Sequence, residues 1–283
     1  LPSYENRVFR IGIEDAAPVV AKFYRPGRWS DAAIGEEHAF AQELAAAELP
    51  VLAPLAVGGR TLLTHAGWRF ALTPCLGGRA PSLESAEQLA WIGRLLARLH
   101  TVGARQPFKH RETLDRAHGI AAPMRAVLAS QLLPTHLAGA YRAAAQRVDA
   151  AVAARLAAVG PLHTLRLHGD CHPGNLLWTD TGPCFLDLDD TCNGPAIQDL
   201  WMLAADATAL DTLLAGYTEL RDLDPAERAL IPALRAMRQL RHAGWIAARW
   251  HDGAFPPAFP FAAEPRWWQE HIADLEALAA EMG

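Results

Sequence analysis

The chain keeps its strand signals apart from most of its helix signals, and that segregation restricts the possible folds more than any other feature. Short runs rich in β-branched and aromatic residues crowd the first seventy or so positions: Arg7–Ile13, Pro18–Tyr24, Val51–Val57, Thr61–Thr64 and Trp68–Thr73. Glu14–Ala17 separates the first two as a hairpin turn would, and a segment rich in Ala, Glu and Leu from about Ala32 to Ala47 reads as one early helix. Pro74 and Leu76-Gly77-Gly78 end this pattern, and glycine pairs after a strand make a natural hinge. Beyond Ser82 the chain turns helical. Ser85 with Gln88 reads as a capping box, and Leu89, Ile92, Leu95, Leu96 and Leu99 recur at helical period behind it. Further helices are predicted from about Thr135 to Ala158, from Asp224-Pro225 onward, and from Arg266 to Met282. The expectation is an α+β fold, with a small β-rich lobe over residues 1–74 and a larger, mainly helical lobe over 75–283.

Of the 283 residues, 51% are hydrophobic and 20% charged, which suits a globular enzyme rather than a disordered chain. A formal charge of −5 argues against a dedicated nucleic-acid binder. No apolar run is long enough for a bilayer, and no charged leader with an apolar core opens the chain; the expectation is a cytoplasmic protein away from membranes. Cys75, Cys171, Cys184 and Cys192 form no CxxC pair and suit a reducing compartment.

Within the helical part, two short strand-like runs, Leu162–Leu167 and Pro183–Leu188, bracket a polar loop. It reads His168-Gly169-Asp170-Cys171-His172-Pro173-Gly174-Asn175, a carboxylate followed five positions later by an amide. Phosphoryl transfer from ATP needs a carboxylate to orient the acceptor hydroxyl and take its proton, and hard oxygen ligands for magnesium. His168-x-Asp170 followed by Asn175 reproduces the spacing of the protein-kinase catalytic loop. Asp187, in Phe185-Leu186-Asp187-Leu188-Asp189-Asp190, stands where kinases carry a further magnesium ligand. Three plainer readings compete. Asp170 and Asn175 are common turn residues. His168, Cys171 and His172 could be zinc ligands, although adjacent residues rarely reach one ion together and no fourth ligand follows at standard spacing. The run Asp187, Asp189 and Asp190 could be a solvated acidic turn; strand alternation puts Asp187 and Asp189 on one face, and only Asp187 is expected to be a firm ligand.

Lys22 lies inside Val19-Val20-Ala21-Lys22-Phe23, as does the kinase lysine that holds the α- and β-phosphates; its plain alternative is a strand lysine facing water. The helix that follows carries Glu36 and Glu37. Either could pair with Lys22, and Glu37 is favoured because Phe40 and Leu44 share its helical face. No glycine-rich phosphate loop precedes the first hairpin, where the chain reads Leu1-Pro2-Ser3-Tyr4-Glu5-Asn6-Arg7.

Together, Leu167–Trp178, Phe185–Asp190, Asn193–Met202, Ser3–Val8, Lys22–Pro26, Glu36-Glu37-His38 and Arg235–Arg238 resemble the aminoglycoside phosphotransferase and choline kinase superfamily, and within it the bacterial stress-response serine/threonine protein kinases. The likeness covers nearly the whole chain. It implies a protein-kinase-like two-lobed fold and a cytosolic monomer that uses ATP and magnesium to phosphorylate Ser or Thr on protein, itself included. It implies Asp170 as proton acceptor, Asn175 and Asp187 as magnesium ligands, and Ser3 on the ATP side, beside Lys22 and Glu37. Family members begin with a further helix and strand upstream of Ser3, which this sequence does not show. Asp199 resembles the aspartate that braces the catalytic loop, its plain role being N-cap of a helix over Leu200–Ala209. Rival functions are a small-molecule kinase of the choline, aminoglycoside or homoserine type, and a non-catalytic nucleotide-binding module. The complete polar set disfavours the module. Trp201, Trp245, Trp250, Trp267 and Trp268 could box a cationic small acceptor, though tryptophans in amphipathic helices are more often core.

Overall fold

The computed structural model describes residues 5–283. In chain order these form β1 (Arg7–Ile13), β2 (Ala16–Phe23), α1 (Asp31–Ala46), β3 (Leu63–His65), β4 (Trp68–Pro74), α2 (Ala86–Gly103), α3 (Ala122–Ala129), α4 (Ala138–Val159), β5 (Leu165–Leu167), β6 (Leu176–Thr179), β7 (Gly182–Phe185), β8 (Cys192–Gly194), α5 (Ile197–Trp201), α6 (Ala207–Thr218), α7 (Ile231–Arg249), α8 (Phe255–Ala258) and α9 (Pro265–Met282). The expected α+β class holds. Two compact units are present, one made of residues up to Glu112 with Thr164–Leu223, the other of Thr113–His163 with Asp224–Gly283. The early sheet and the loop at 168–175 both belong to the first.

In the first unit, β1, β2, β4 and β3 form an antiparallel sheet in that order. Lys22, near the end of β2, lies opposite Val8 on β1 and Ala71 on β4, so both flanking strands hold its backbone. On the other side of β2, the Phe23 ring stacks on Phe70 at 5.2 Å and meets Phe9 edge-on at 5.9 Å. Val51–Val57, expected as a strand, makes only single bridges, Val51 to Phe185 and Val57 to Arg60. Pro50 and Pro54 remove the N–H donors that a ladder would use. Ser30 caps α1 by accepting from the Ala33 amide at 3.1 Å, and Ile34 anchors the helix in a core with Tyr24 and Ala71.

Ser85 caps α2 as expected, accepting from the Gln88 amide at 3.3 Å, but the Gln88 side chain accepts from Ser82 N at 3.2 Å instead of closing the box. The helix expected over Leu200–Ala209 is two helices. Asp206 caps the second through the Ala209 amide at 2.8 Å, and Asp199 lies inside the first turn of α5. Around the polar loop the strands are shorter than expected. β6 and β7 pair as a hairpin, and Leu188–Asp190 is a 3-10 turn, so strand alternation does not apply to Asp187 and Asp189.

The second unit packs α4 against α9 and α3 against α7. Tyr141 meets Trp268 edge-on at 6.0 Å and stacks on His271 at 5.9 Å; Trp268 is fully buried and donates to Ala262 O at 2.9 Å. Trp245 packs against Phe255 and Phe259, and Trp267 against His271, both half-buried, while Trp268 serves the core. All four cysteines are free thiols, and no helix among the described residues is long and apolar enough to cross a membrane.

Glycines let α2 and α6 touch backbone to backbone: a Cβ on Gly216 would sit 2.2 Å from Ala90 O, and one on Gly93 would sit 2.2 Å from Leu213 O. Alanine gains up to about 1 kcal/mol in helix propensity over glycine. A forced separation of packed helices costs about 1–3 kcal/mol or more, so the clash wins. Gly216→Ala is therefore expected to lower stability in denaturant melts; a variant as stable as the unsubstituted protein would contradict the close approach.

Candidate active site

A buried carboxylate holds the loop between β5 and β6 from behind. Asp199 accepts the backbone N–H of His168 on Oδ2 at 2.7 Å and that of Gly169 on Oδ1 at 2.9 Å. His100 Nε2 lies 3.1 Å from the same Oδ2, and His100 Nδ1 lies 3.0 Å from the Tyr217 hydroxyl. With Nε2–H donating to the carboxylate, Nδ1 accepts from Tyr217. Hydroxyl, imidazole, carboxylate and two amides thus form one satisfied chain in a fully buried place. His168 donates from Nε2 to Leu186 O at 2.8 Å, which ties the loop to the segment after β7. Gly169 has φ +85°, and a Cβ there would lie 2.1 Å from Asp190 O. Only glycine fits that corner.

Asp170 follows with its side chain partly exposed, Oδ2 lying 3.4 Å from His172 Nε2. Asn175 donates its side-chain amide to Asp170 O at 2.9 Å, and its carbonyl accepts from Leu186 N at 2.9 Å. The donor end of the amide is engaged within the loop, and the acceptor end suits a hard cation. Asp187 has φ 53° and ψ 72°, a left-handed conformation that aspartate tolerates better than most residues, and its side chain is 55% exposed.

Lys22 Nζ gathers three carboxylates: Asp189 Oδ1 at 2.9 Å, Asp187 Oδ1 at 3.2 Å and Glu37 Oε1 at 3.4 Å. Glu37 is therefore the α1 partner of Lys22. Glu36 faces elsewhere and accepts the amides of Lys109, His110 and Arg111 at 2.8, 2.8 and 3.1 Å. Asp189 is not a solvated turn residue. It is buried, accepts from Asn6 Nδ2 at 3.1 Å, and pairs with Arg28, whose Nη2 also reaches Asp190 Oδ1 at 2.7 Å. Arg111 donates to the carbonyl of Asp189 and to Thr191 O at 2.9 Å, with its guanidinium 3.9 Å from the Trp29 ring centre. No group of three or more His, Cys, Asp and Glu among the described residues is placed to hold a metal, so His168, Cys171 and His172 form no zinc site. Ser3 lies outside the described residues.

Comparison with known proteins identifies the arrangement. The sequence profile of the phosphotransferase enzyme family (APH) matches residues 1–231. The chain belongs to that family. It is 43% identical to stress response kinase A of Escherichia coli (strain K12), over 96% of this chain and 84% of that protein. It is 44% identical to the serine/threonine protein kinase RdoA of Salmonella typhimurium, over 95% of this chain and 83% of that protein. Among solved structures, amicoumacin kinase hAmiN in complex with AMP-PNP, Ca2+ and Ami superposes with a TM-score of 0.76 at 17% identity, over 99% of this chain and 87% of that one. A microcompartment-associated aminopropanol kinase gives 0.71 at 18% identity, over 98% and 92%. The fold of this phosphotransferase is protein-kinase-like, as the resemblance implied.

Burial alone would lower the Lys22 ammonium, yet Asp189, Glu37 and Asp187 together hold it well above its ordinary range. Burial pushes Glu37 up to about 7 against the pull of Lys22, with Asp189 adding repulsion. Asp189 moves the other way: burial opposes its charge, but Lys22, Arg28 and Arg111 hold the carboxyl well below the usual range. Asp189 is thus the standing counter-charge of Lys22, and Glu37 is the partner that yields first. Asp189 was visible in the sequence, but Arg28, Arg111, His100 and Tyr217 carried no signal there. Their roles come from contacts across 78 to 162 positions, from Arg111 with Asp189 to Arg28 with Asp190.

Because the folded value of Glu37 is raised, its contribution to stability is full below about 4.5 and is lost as pH rises through about 7. Relative to Glu37→Gln, the nucleotide-free protein should lose on the order of 1–3 kcal/mol between pH 5 and 8. Denaturant melts at several pH values check this, and a pH-independent difference would show that Glu37 stays ionised throughout.

Proposed function

We propose that this phosphotransferase moves the γ-phosphoryl group of ATP, with magnesium, to Ser or Thr hydroxyls on protein, its own included. The carrying observation is that Lys22, Glu37, Asp187 and the Asp170–Asn175 loop lie in one unit, with Lys22 Nζ 3.2 Å from Asp187 Oδ1 and the loop amides clamped by Asp199. Relatives named stress response kinase A support the kinase, and one named a serine/threonine protein kinase supports the protein acceptor. Small-molecule acceptors are named for the solved structures, whose low identity speaks for the fold alone.

In this reading Asp170 orients the acceptor hydroxyl and takes its proton while the hydroxyl oxygen bonds to the γ-phosphorus and the bond to the bridging oxygen breaks, releasing ADP. Lys22 neutralises the α- and β-phosphates, with Glu37 and Asp189 keeping its ammonium in place. Magnesium, when bound, supplies positive charge to the phosphate oxygens. Asn175 and Asp187 would hold it. Their amide and carboxylate oxygens are hard donors, and the exposure of Asp187 leaves room for phosphate oxygens and water to complete the shell. Residues 1–74 would form the nucleotide-binding lobe, with Ser3 toward the phosphates and Phe70–Thr73 beside adenine. The protein would act as a monomer in the cytoplasm.

Incubation with labelled ATP, magnesium and a general protein acceptor is expected to label Ser or Thr, while a panel of amino alcohols stays unlabelled. Label confined to the small molecules would refute the protein acceptor and keep the phosphotransferase. Asp170→Asn should cut turnover by about 10²–10⁴-fold with nucleotide binding nearly intact; retention of half the turnover would remove Asp170 from its role. Asp187→Ala should raise the magnesium concentration needed for binding of an ATP analogue, and an unchanged titration would leave Asp187 a turn residue only.

A further inference from the structure

We infer that His172 is a positioning residue for the Asp170 carboxylate, its imidazole seated on Gly174 in the tautomer that donates from Nε2; this rests on the reading of Asp170 as proton acceptor. The backbone N–H of Gly174 donates to His172 Nδ1 at 3.0 Å. A backbone amide can only donate, so Nδ1 presents its lone pair and the ring proton of the neutral imidazole is on Nε2. That nitrogen faces Asp170 Oδ2 at 3.4 Å. The distance is long for a hydrogen bond at rest, and contacts of this kind tighten when the reactants assemble.

The ring has a built seat. A Cβ on residue 174 would lie 2.7 Å from His172 Cε1 and 3.0 Å from Nδ1, so the imidazole occupies space that only glycine leaves open. The His172 carbonyl accepts from Asn175 N at 2.9 Å, which holds the backbone on both sides of the seat. The side chain is 35% exposed yet restrained from below and at one nitrogen. Each donor near a carboxylate narrows its rotation about the Cβ–Cγ bond, and with it the angle offered to the acceptor hydroxyl. An N–H held 3.4 Å from Oδ2 narrows that rotation, and transfer depends steeply on the geometry.

The experiment measures kcat and KM for ATP on the full chain carrying His172→Ala, His172→Gln or Gly174→Ala. Glutamine places an N–H donor at the reach of imidazole Nε2. Gly174 lies outside the left-handed region, so alanine there suits the backbone and acts by displacing the ring. His172→Ala and Gly174→Ala should each lower kcat about tenfold with KM for ATP within about twofold, and His172→Gln should return to within about threefold of the unsubstituted enzyme. Unchanged kcat in either alanine variant overturns the inference. So does a loss in His172→Ala that glutamine fails to restore, since the ring would then be packing only. An unsubstituted enzyme that phosphorylates no acceptor at all would instead remove the reading on which the inference rests.

Discussion

Asp199 holds the amides of His168 and Gly169, and the course of the loop that carries Asp170 and Asn175 follows from that pair of hydrogen bonds. A loop made of glycine, proline and short polar residues has little of its own to hold it in shape. A buried carboxylate left without partners would cost several kcal/mol by itself, so it recruits donors wherever the fold offers them. Here they come from two loop amides and from His100, backed by Tyr217. The amides fix where the chain turns at Gly169, and that turn, pressed against Asp190 O, aims Asp170.

A second constraint acts at Lys22. Three carboxylates converge on one ammonium, and two guanidinium groups stand behind the most buried of them. Buried ion pairs roughly break even against apolar packing, so this hub is weak evidence for stability and better evidence for placement. It joins the sheet, α1 and the turn after β7 through charges that lose several kcal/mol if any member is left unpaired. Phosphate arriving at Lys22 would meet a group already in position, with Asp189 remaining as its anchor.

Much of this was legible beforehand, for reasons that differ by residue. Asp170, Asn175 and Asp187 stood out because the chemistry proposed for them would need particular atom types at short separations along the chain. The hairpin of β1 and β2 and the cap at Ser85 were legible because turn and cap chemistry is local. The expected strand at Val51–Val57 failed where two prolines broke the ladder, and the helix over Leu200–Ala209 divided because Asp206 caps a second start. The burial of Asp189 was not legible, because strand alternation does not apply in the 3-10 turn that carries it inward.

Order along the chain therefore accounts for the class of fold and for the donor atoms at the centre. Periodicity, capping and spacing are properties of neighbouring residues, and neighbours are all that a linear reading compares. Which glutamate faces Lys22 was settled in three dimensions, where Glu36 is taken up by three amides around Lys109 and leaves Glu37 to the ammonium. The same holds for the burial of Asp189, the partners of Asp199 and the seat of His172 on Gly174. These depend on free energies of desolvation and close approach, which exist only once distant segments share one interior.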